Sequence, residues 1–120
     1  PVPTIHALAE GPGSFGMTLH RLAAAIDTGA ILAQEAVPLP AGTTATRAAV
    51  ALHAHGRGML DGLLDTIDRT GSLPEGRTEP VLPYCPFPDR AMLAALRRRG
   101  LRLTDGQDLR EALSLSARAS

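Results

Sequence analysis

Apolar and polar residues alternate from Phe15 to Leu22, which is the period of a half-buried β-strand. Met17 and Leu19 are predicted to point to one face of this strand. Thr18 and His20 are predicted to point to the other. The pattern therefore predicts a strand with one apolar and one polar face.

A turn and a return strand are predicted to follow. Asp27-Thr28-Gly29 has the composition of a tight turn. The run from Ala30 to Leu39 has the composition of a second strand, which stops at Pro38 and Pro40. Together the two strands predict a β-hairpin.

Apolar residues at three- and four-residue steps predict helices before and after this hairpin. Before the hairpin there is a short opening helix with Pro3 in its first turn and Gly11 after it. After the hairpin, a long helix is capped by Thr43, Thr44 or Thr46 and ends near Gly71, and a third helix runs from Asp89 through Arg99. A last helix begins at Thr104 or Asp105, runs to about Leu115 and frays after Ser116. The inward positions of the long helix are predicted to be Ala49, Leu52, Gly56, Met59 or Leu60, Leu63 and Ile67. Those of the following helix are Met92, Leu93 and Leu96.

Three glycines, Gly56, Gly58 and Gly62, lie inside the long helix. Each weakens a helix by about 1 kcal/mol relative to alanine. We therefore expect this helix to depend on burial against a sheet, or on close packing that requires small residues.

A proline-rich connection follows the long helix, with prolines at Pro74, Pro80, Pro83, Pro86 and Pro88. Proline lacks a backbone N–H, so the segment is predicted to be an extended surface connection with at most an edge strand around Val81-Leu82. Two strands do not close a sheet of ordinary size, and the long helix needs more strands to cover its apolar face. The chain is therefore expected to be part of a larger α/β fold.

Composition narrows the class of protein. The 120 residues fit one compact domain, and a core built from 44% apolar residues with only three aromatics is expected to be aliphatic. Twelve arginines balance twelve acidic residues, and the chain contains no lysine and no asparagine. A net charge of zero gives no reason to expect nucleic acid or an acidic membrane as a partner.

The expected setting is soluble, reducing and cytoplasmic. Cys85 is the single cysteine, so no internal disulfide can form. The sequence also lacks an apolar run of about 18 residues that would span a bilayer. The opening residues show neither a signal peptide nor an initiator methionine, and the chain is expected to be cut at its front.

His20 and Asp27 are candidates for reaction chemistry. A hairpin would bring the carboxylate toward the mouth of a sheet, where α/β folds bind ligands. There it can orient a histidine, hold its charged form, or position a water that carries a proton. The alternative is an ordinary edge histidine and an ordinary turn aspartate, since any hairpin can show this spacing.

Four other features carry weaker signals. His53 and His55 are two residues apart on a helix and face different directions, so they make a poor metal pair. Cys85 has no neighbouring ligand and is expected to be packed. Arg97-Arg98-Arg99 could contact a phosphate but is typical of a solvated helix end. The glycine-rich residues 11–16 precede a strand rather than a helix, which is not the context of a phosphate-binding loop.

Read as a unit, GMTLH and the Asp27-Thr28-Gly29 turn resemble the second half of the catalytic domain of the folate-dependent formyltransferases. That family shows a G-[VTM]-[TS]-[LIV]-H strand, followed seven residues after the histidine by an Asp-[TG]-Gly turn. The opening PVPTIHALAEG and the long helix are similar to the family's flanking helices. The resemblance covers residues 1–71, which are predicted to be the C-terminal half of a formyltransferase-like, Rossmann-like domain, and leaves 72–120 as a connection and helical tail.

The resemblance implies roles for individual residues. Asp27 matches the catalytic carboxylate, which would hold a histidine in its charged form and order a proton-carrying water. Thr18 and His20 match the supporting strand beside that site. The residues Leu22, Ala23, Ala24, Ala25 and Ile26 match the segment that wraps the pterin of 10-formyltetrahydrofolate, largely with backbone groups. No metal is implied.

Two departures from the family pattern bear on activity. The family's Asn-x-His motif lies upstream of the matching region, and this chain contains no asparagine, so the chain alone is not expected to catalyse formyl transfer. Relatives also carry an acidic residue where this chain has Ala23 to Ala25. The short tail lacks the β-rich basic domain of methionyl-tRNA formyltransferases, which favours a small-molecule amine as the substrate over tRNA. The alternatives are a catalytically silent binding module and a hydrolase of 10-formyltetrahydrofolate.

Overall fold

The computed structural model describes residues 3–24, 29–78 and 86–119. In chain order the elements are helix α1 (Pro3–Glu10), a single 3₁₀ turn (Pro12–Ser14), strands β1 (Gly16–His20) and β2 (Ile31–Ala36), and helices α2 (Ala45–Thr70), α3 (Arg90–Arg98) and α4 (Gly106–Ala119). The expected mixture of helix and strand is confirmed. In the described ranges the sheet has two antiparallel strands, so a Rossmann-like sheet is not seen there.

The two strands form the predicted hairpin. Gly16 lies opposite Ala36 and Thr18 opposite Gln34, and the register shifts between Leu19 and His20. The predicted strand ranges were longer at both ends; just beyond the observed strands, Val37 and Arg21 still donate one backbone hydrogen bond each, to Phe15 and Ala30.

The connection after α2 returns to the outer edge of β2. Ile31 and Arg77 exchange two backbone hydrogen bonds of 2.8 and 2.9 Å, which makes an isolated antiparallel bridge. An edge strand was predicted a few residues after Arg77, around Val81-Leu82. That segment lies outside the described residues. The extended backbone that prolines favour therefore pairs with the sheet at Arg77.

Helix α2 has the caps that its sequence predicts. Thr44 is its N-cap, and the Thr44 hydroxyl accepts a hydrogen bond of 3.1 Å from the backbone N–H of Arg47. Gly71 ends the helix at φ 75°, a left-handed conformation that glycine adopts without strain, and its N–H donates to the carbonyl of Ile67. Of the three threonines considered for the cap, Thr44 is therefore the one used.

The buried face of α2 is formed by Ala48, Leu52, Gly56 and Met59. The prediction of Ala49 as the first inward position was wrong by one residue, and Met59 rather than Leu60 is buried. The predicted apolar face therefore began one residue too late along the helix.

The core joins the first helix, the hairpin and α2. It contains Leu8, Phe15, Ala48 and Leu52, each no more than 7% exposed. Phe15 precedes β1, and its carbonyl accepts a hydrogen bond from the N–H of Val37 after β2. The open end of the hairpin, opposite its loop, is thereby held at the core.

Helices α3 and α4 begin as predicted. Asp89 caps α3 by accepting a 2.7 Å hydrogen bond from the N–H of Met92, and Leu96 is buried. Asp105 accepts hydrogen bonds from the N–H groups of Gln107 and Asp108 at the start of α4. The predicted end of α4 near Leu115, with fraying after Ser116, was wrong, because the helix continues to Ala119 through good helix formers.

The three glycines of α2 are expected to respond differently to substitution. A Cβ at Gly56 would lie 2.6 Å from the Cε of Met17 on β1, whereas Gly58 and Gly62 have open space around them. Gly58→Ala is therefore expected to raise the free energy of unfolding by about 1 kcal/mol through helix propensity, and Gly56→Val to lower it by about 1–3 kcal/mol through overpacking. Urea denaturation of the two variants measures both effects. A Gly56→Val protein as stable as Gly58→Ala would contradict the close contact between α2 and β1.

Candidate functional site

The two faces of the hairpin have different environments. Met17 lies against α2 at Gly56, and Glu35, its partner in the register, contacts His55 of the same helix. Because side chains alternate along a strand, Thr18 and its partner lie on the opposite face. The polar face predicted from the sequence is thus the face that α2 does not cover.

A chain of polar side chains follows this uncovered face. Gln34 donates a 3.0 Å hydrogen bond from Nε2 to the hydroxyl of Thr18. Its Oε1 accepts a hydrogen bond from the guanidinium of Arg77, which lies beyond α2. Sequence reasoning missed both Gln34 and Arg77. Gln34 follows from the register of the hairpin, in which it lies opposite Thr18. Arg77 is near only because the connection after α2 returns to β2.

His20 lies at the end of β1, where the chain enters the segment that carries Asp27. Its Nδ1 is 3.0 Å from the carbonyl oxygen of Arg21. Since a carbonyl only accepts, Nδ1 carries the proton, and in the neutral ring the lone pair belongs to Nε2. The histidine is exposed, and its ring orientation is fixed by the first residue of the loop.

The loop after β1 is open to solvent over its described part. Residues Leu22, Ala23 and Ala24 are exposed, Leu22 to 95%. Their backbone groups make no hydrogen bond within the described ranges. Ala25, Ile26 and Asp27, the rest of the sequence-predicted site, lie outside the described residues.

The two histidines of α2 have separate partners. His53 bonds through Nδ1 to the carbonyl of Ala49 within its own helix, at 2.7 Å. His55 bonds through Nε2 to the carboxylate of Glu35 on β2. They face different directions, as predicted from their spacing. Among the described residues no three side chains of the types that bind metals are grouped.

A second polar cluster joins the N-termini of α2 and α4. Asp108 is 7% exposed and accepts hydrogen bonds from the hydroxyls of Thr44, at 2.7 Å, and Thr104, at 3.1 Å. Arg47 donates to Asp105 and Asp108 at 2.7 and 3.1 Å. Every buried polar side-chain atom in the described residues has a partner. The cluster is therefore a satisfied structural link between two helices, and sequence spacing gave no signal for it.

The charges of this cluster perturb its ionisation. The hydrogen bond from Arg47 is the main cause that lowers the pKa of Asp105. Burial by itself would raise the pKa of Asp108, but hydrogen bonds, first of all from Thr44, together with the charge of Arg47 outweigh it and lower the pKa. Both carboxylates are thus held in the charged form.

This ionisation predicts acid sensitivity. A carboxyl whose pKa is lower in the folded state stabilises the fold fully above its unfolded pKa of about 4, and the contribution is lost as the pH falls from there through the folded pKa. Urea denaturation at pH 5 and pH 3 should show a larger loss of stability for the wild type than for Asp108→Asn. Asp65→Asn, an exposed site on α2, is the matched control and should behave as the wild type. Equal losses in wild type and Asp108→Asn would contradict the cluster.

Two concave surfaces lie next to the 39–43 segment, away from the polar face of the hairpin. The larger, about 500 Å³, is lined by residues of that segment, by Arg47 and Val50 on α2, and by Gln107 and Glu111 on α4. The smaller, about 140 Å³, includes Leu8, Phe15 and Arg99. Neither includes Thr18 or His20. The candidate site, at the end of β1 and the start of the following loop, is therefore separate from both concave surfaces.

Comparisons with protein families, curated proteins and solved structures found no match to this chain. Within the described residues, no helix combines the length and apolar character needed to cross a membrane.

Proposed function

We propose that this chain is the C-terminal half of a formyltransferase-type α/β domain, which moves a formyl group from 10-formyltetrahydrofolate to a small-molecule amine. One observation carries the proposal: Thr18 and His20 lie on the hairpin face that α2 leaves uncovered, at the strand end that leads into the loop with Asp27. This is the arrangement that the resemblance of GMTLH and Asp27-Thr28-Gly29 to the formyltransferases implies.

The free edge of β1 supports membership of a larger, Rossmann-like sheet. Phe15 pairs with Val37 through a backbone hydrogen bond, so the alternating ladder turns the backbone groups of Gly16 and Thr18 to the outer edge. A two-stranded hairpin is marginal in isolation, and further strands would complete both the edge and the apolar layer.

The exposed backbone of the loop supports a site for a pterin ring. A pterin presents several donors and acceptors along one edge, which backbone N–H and C=O groups can match. The backbone groups of Leu22, Ala23 and Ala24 make no hydrogen bond within the described ranges and are exposed. Alanine side chains leave this backbone accessible, so these residues fit a folate held by main-chain contacts.

The chemistry assigns Asp27 the movement of a proton. The amine nitrogen adds to the formyl carbon of 10-formyltetrahydrofolate, which turns the carbonyl oxygen into an oxyanion. The carbonyl then re-forms as the bond between that carbon and N10 breaks. The amine must lose a proton and N10 must gain one. The carboxylate of Asp27, through an ordered water, is the group of this chain that can accept and relay it. The chain has no asparagine, so the donors that stabilise the oxyanion would be supplied by an Asn-x-His segment of the kind the resemblance implies.

His20 is assigned a positioning role. The hydrogen bond from its Nδ1 to the carbonyl of Arg21 links the end of β1 to the first residue of the loop. This hydrogen bond would position the first residue of the loop, and with it the backbone groups of the residues that follow.

A silent binding module is the second candidate. It is favoured by one observation: Ala23 and Ala24 offer no side-chain acceptor where relatives carry an acidic residue. Hydrolysis of 10-formyltetrahydrofolate is the nearest enzymatic variant, with water in place of the amine.

The test is a turnover assay of this chain joined to the segment that carries the Asn-x-His motif. The protein is supplied with 10-formyltetrahydrofolate and a panel of small amines, and release of tetrahydrofolate is followed. Release that requires an amine supports formyl transfer. Release without an amine indicates the hydrolase, and no release together with no folate binding indicates the silent module; both outcomes would overturn the proposal.

A further inference from the structure

The neutral net charge of the chain conceals one strongly basic segment. Residues 90–103 contain five arginines and no acidic residue, the arginines being Arg90, Arg97, Arg98, Arg99 and Arg102. All five are exposed. The remaining seven arginines are distributed among the twelve acidic residues of the rest of the chain. This surface is therefore basic although the net charge of the whole chain is zero.

Three of the five arginines lie on α3 itself, and the other two follow its last helical residue. Leu96 is buried and Met92 half-buried on one side of the helix. Arg90 and Arg97, seven residues apart, lie two turns from each other on the other side, and Arg98 is adjacent. The apolar face of this amphipathic helix is turned to the protein, which leaves the basic face to the solvent.

These guanidinium groups are not neutralised within the described part of the chain. Arg90, Arg97, Arg98 and Arg102 form no ion pair or side-chain hydrogen bond there, and Arg99 donates only to the backbone carbonyl of Ala9. Asp105, three residues after Arg102, is paired with Arg47 instead. Asp89 is occupied as the cap of α3, and Glu10, beside Ala9, makes no ion pair among the described residues.

An exposed aromatic side chain precedes the N-terminus of α3. Phe87 is 71% exposed and lies three residues before Arg90. Large apolar side chains exposed next to several cations are a feature of surfaces that bind single-stranded nucleic acids, where bases stack on aromatic rings and phosphates contact arginines. An acidic protein segment would use the arginines but gives no comparable role to Phe87.

The spacing of the charges fits an extended ligand. Two helical turns separate Arg90 from Arg97 by about 10 Å along the helix axis. Guanidinium groups spread over this length can contact successive phosphates of a strand. Guanidinium groups bind phosphate oxygens in a bidentate way, which suits this arrangement.

We propose that the exposed face of α3, together with Phe87, binds single-stranded nucleic acid, with phosphates on the arginines and a base on the aromatic ring. This function is independent of formyl transfer, since the surface shares no residue with the loop after β1. It also revises the expectation from net charge alone, which gave no reason for a nucleic-acid partner.

Fluorescence anisotropy of a labelled 20-nucleotide oligouridine tests the proposal on the full chain. At 50 mM salt, the double variant Arg97→Gln/Arg98→Gln is expected to weaken binding by about tenfold or more. The slope of log affinity against log salt should fall by about 1.4, because two phosphate contacts on a single strand are lost. Phe87→Ala is expected to weaken binding by about tenfold.

Arg57→Gln/Arg69→Gln on α2 is the matched control, with the same change in net charge at exposed positions, and it should bind as the wild type. Circular dichroism establishes that each variant is folded. Absence of oligouridine binding by the wild type, or equal weakening in the control pair, would overturn the proposal. The proposal would also be overturned if the wild type bound a poly-glutamate peptide as tightly as oligouridine and Phe87→Ala left that affinity unchanged. That result would assign the surface to acidic proteins.

Discussion

Asp27→Asn is expected to lower kcat for formyl transfer by at least about a hundredfold, the size usual for a general acid–base group. Asparagine keeps the shape of the side chain but cannot accept the proton that leaves the attacking amine. The measurement is turnover of 10-formyltetrahydrofolate by the chain joined to an Asn-x-His segment of the formyltransferase type. Folate affinity should change much less than kcat, because the pterin is assigned to the loop backbone.

The control for this substitution is Asp65→Asn on the exposed surface of α2, which should leave kcat unchanged. Circular dichroism and the urea midpoint establish that both variants are folded. Wild-type turnover in Asp27→Asn would remove the carboxylate from the mechanism and with it the assignment of the site.

Phe15→Ala is expected to lower the free energy of unfolding by about 3–5 kcal/mol, the usual range for a buried phenylalanine. Phe15 is 4% exposed and joins Leu8, Ala48 and Leu52 in the core. Its loss leaves a cavity where α1, the hairpin and α2 meet. Since small domains are stable by about 5–15 kcal/mol, this single change is expected to bring the protein close to unfolding.

Phe87→Ala provides the matched control, because Phe87 is the other phenylalanine and is 71% exposed. Its free energy of unfolding should stay within about 0.5 kcal/mol of the wild type, as for other surface substitutions. Urea denaturation measures both variants. Equal losses for Phe15→Ala and Phe87→Ala would contradict the placement of the core.

Local signals in the sequence were sufficient to locate most elements. Capping residues such as Thr44 and Asp89 act within one turn of their own helix, and Gly71 ends α2 through its own backbone conformation. Alternation located β1 because the alternating residues themselves form the two faces. The end of α4 was misplaced: the helix runs to Ala119, because Ala117, Arg118 and Ala119 are good helix formers.

Contacts between distant segments could not be predicted in the same way. The buried pair of Thr44 and Asp108 joins residues 64 positions apart, and neither has a neighbour in sequence that signals the other. Arg77 reaches the hairpin only because the connection after α2 turns back to β2. Such pairings depend on how elements pack, which no local period records.

For the candidate site, the sequence separated the polar face of β1 from its apolar face. It did so because the period of two is a property of the strand itself. Gln34 was missed since its relation to Thr18 depends on the exact register of the hairpin. The assignment of Asp27 comes from the resemblance and from its place after His20, and that residue lies outside the described ranges.

Hydrogen exchange of the loop amides tests the central claim most directly. The backbone N–H groups of Leu22, Ala23 and Ala24 lack internal hydrogen bonds in the described ranges and should exchange fast in the free protein. The chain is joined to an Asn-x-His segment of the formyltransferase type and bound to a non-reactive analogue of 10-formyltetrahydrofolate. Exchange of the three loop amides should then slow by tenfold or more, while the amide of exposed Arg118 near the end of α4 stays unchanged. Binding of the analogue with no slowing in residues 22–24 would contradict a folate site at this loop.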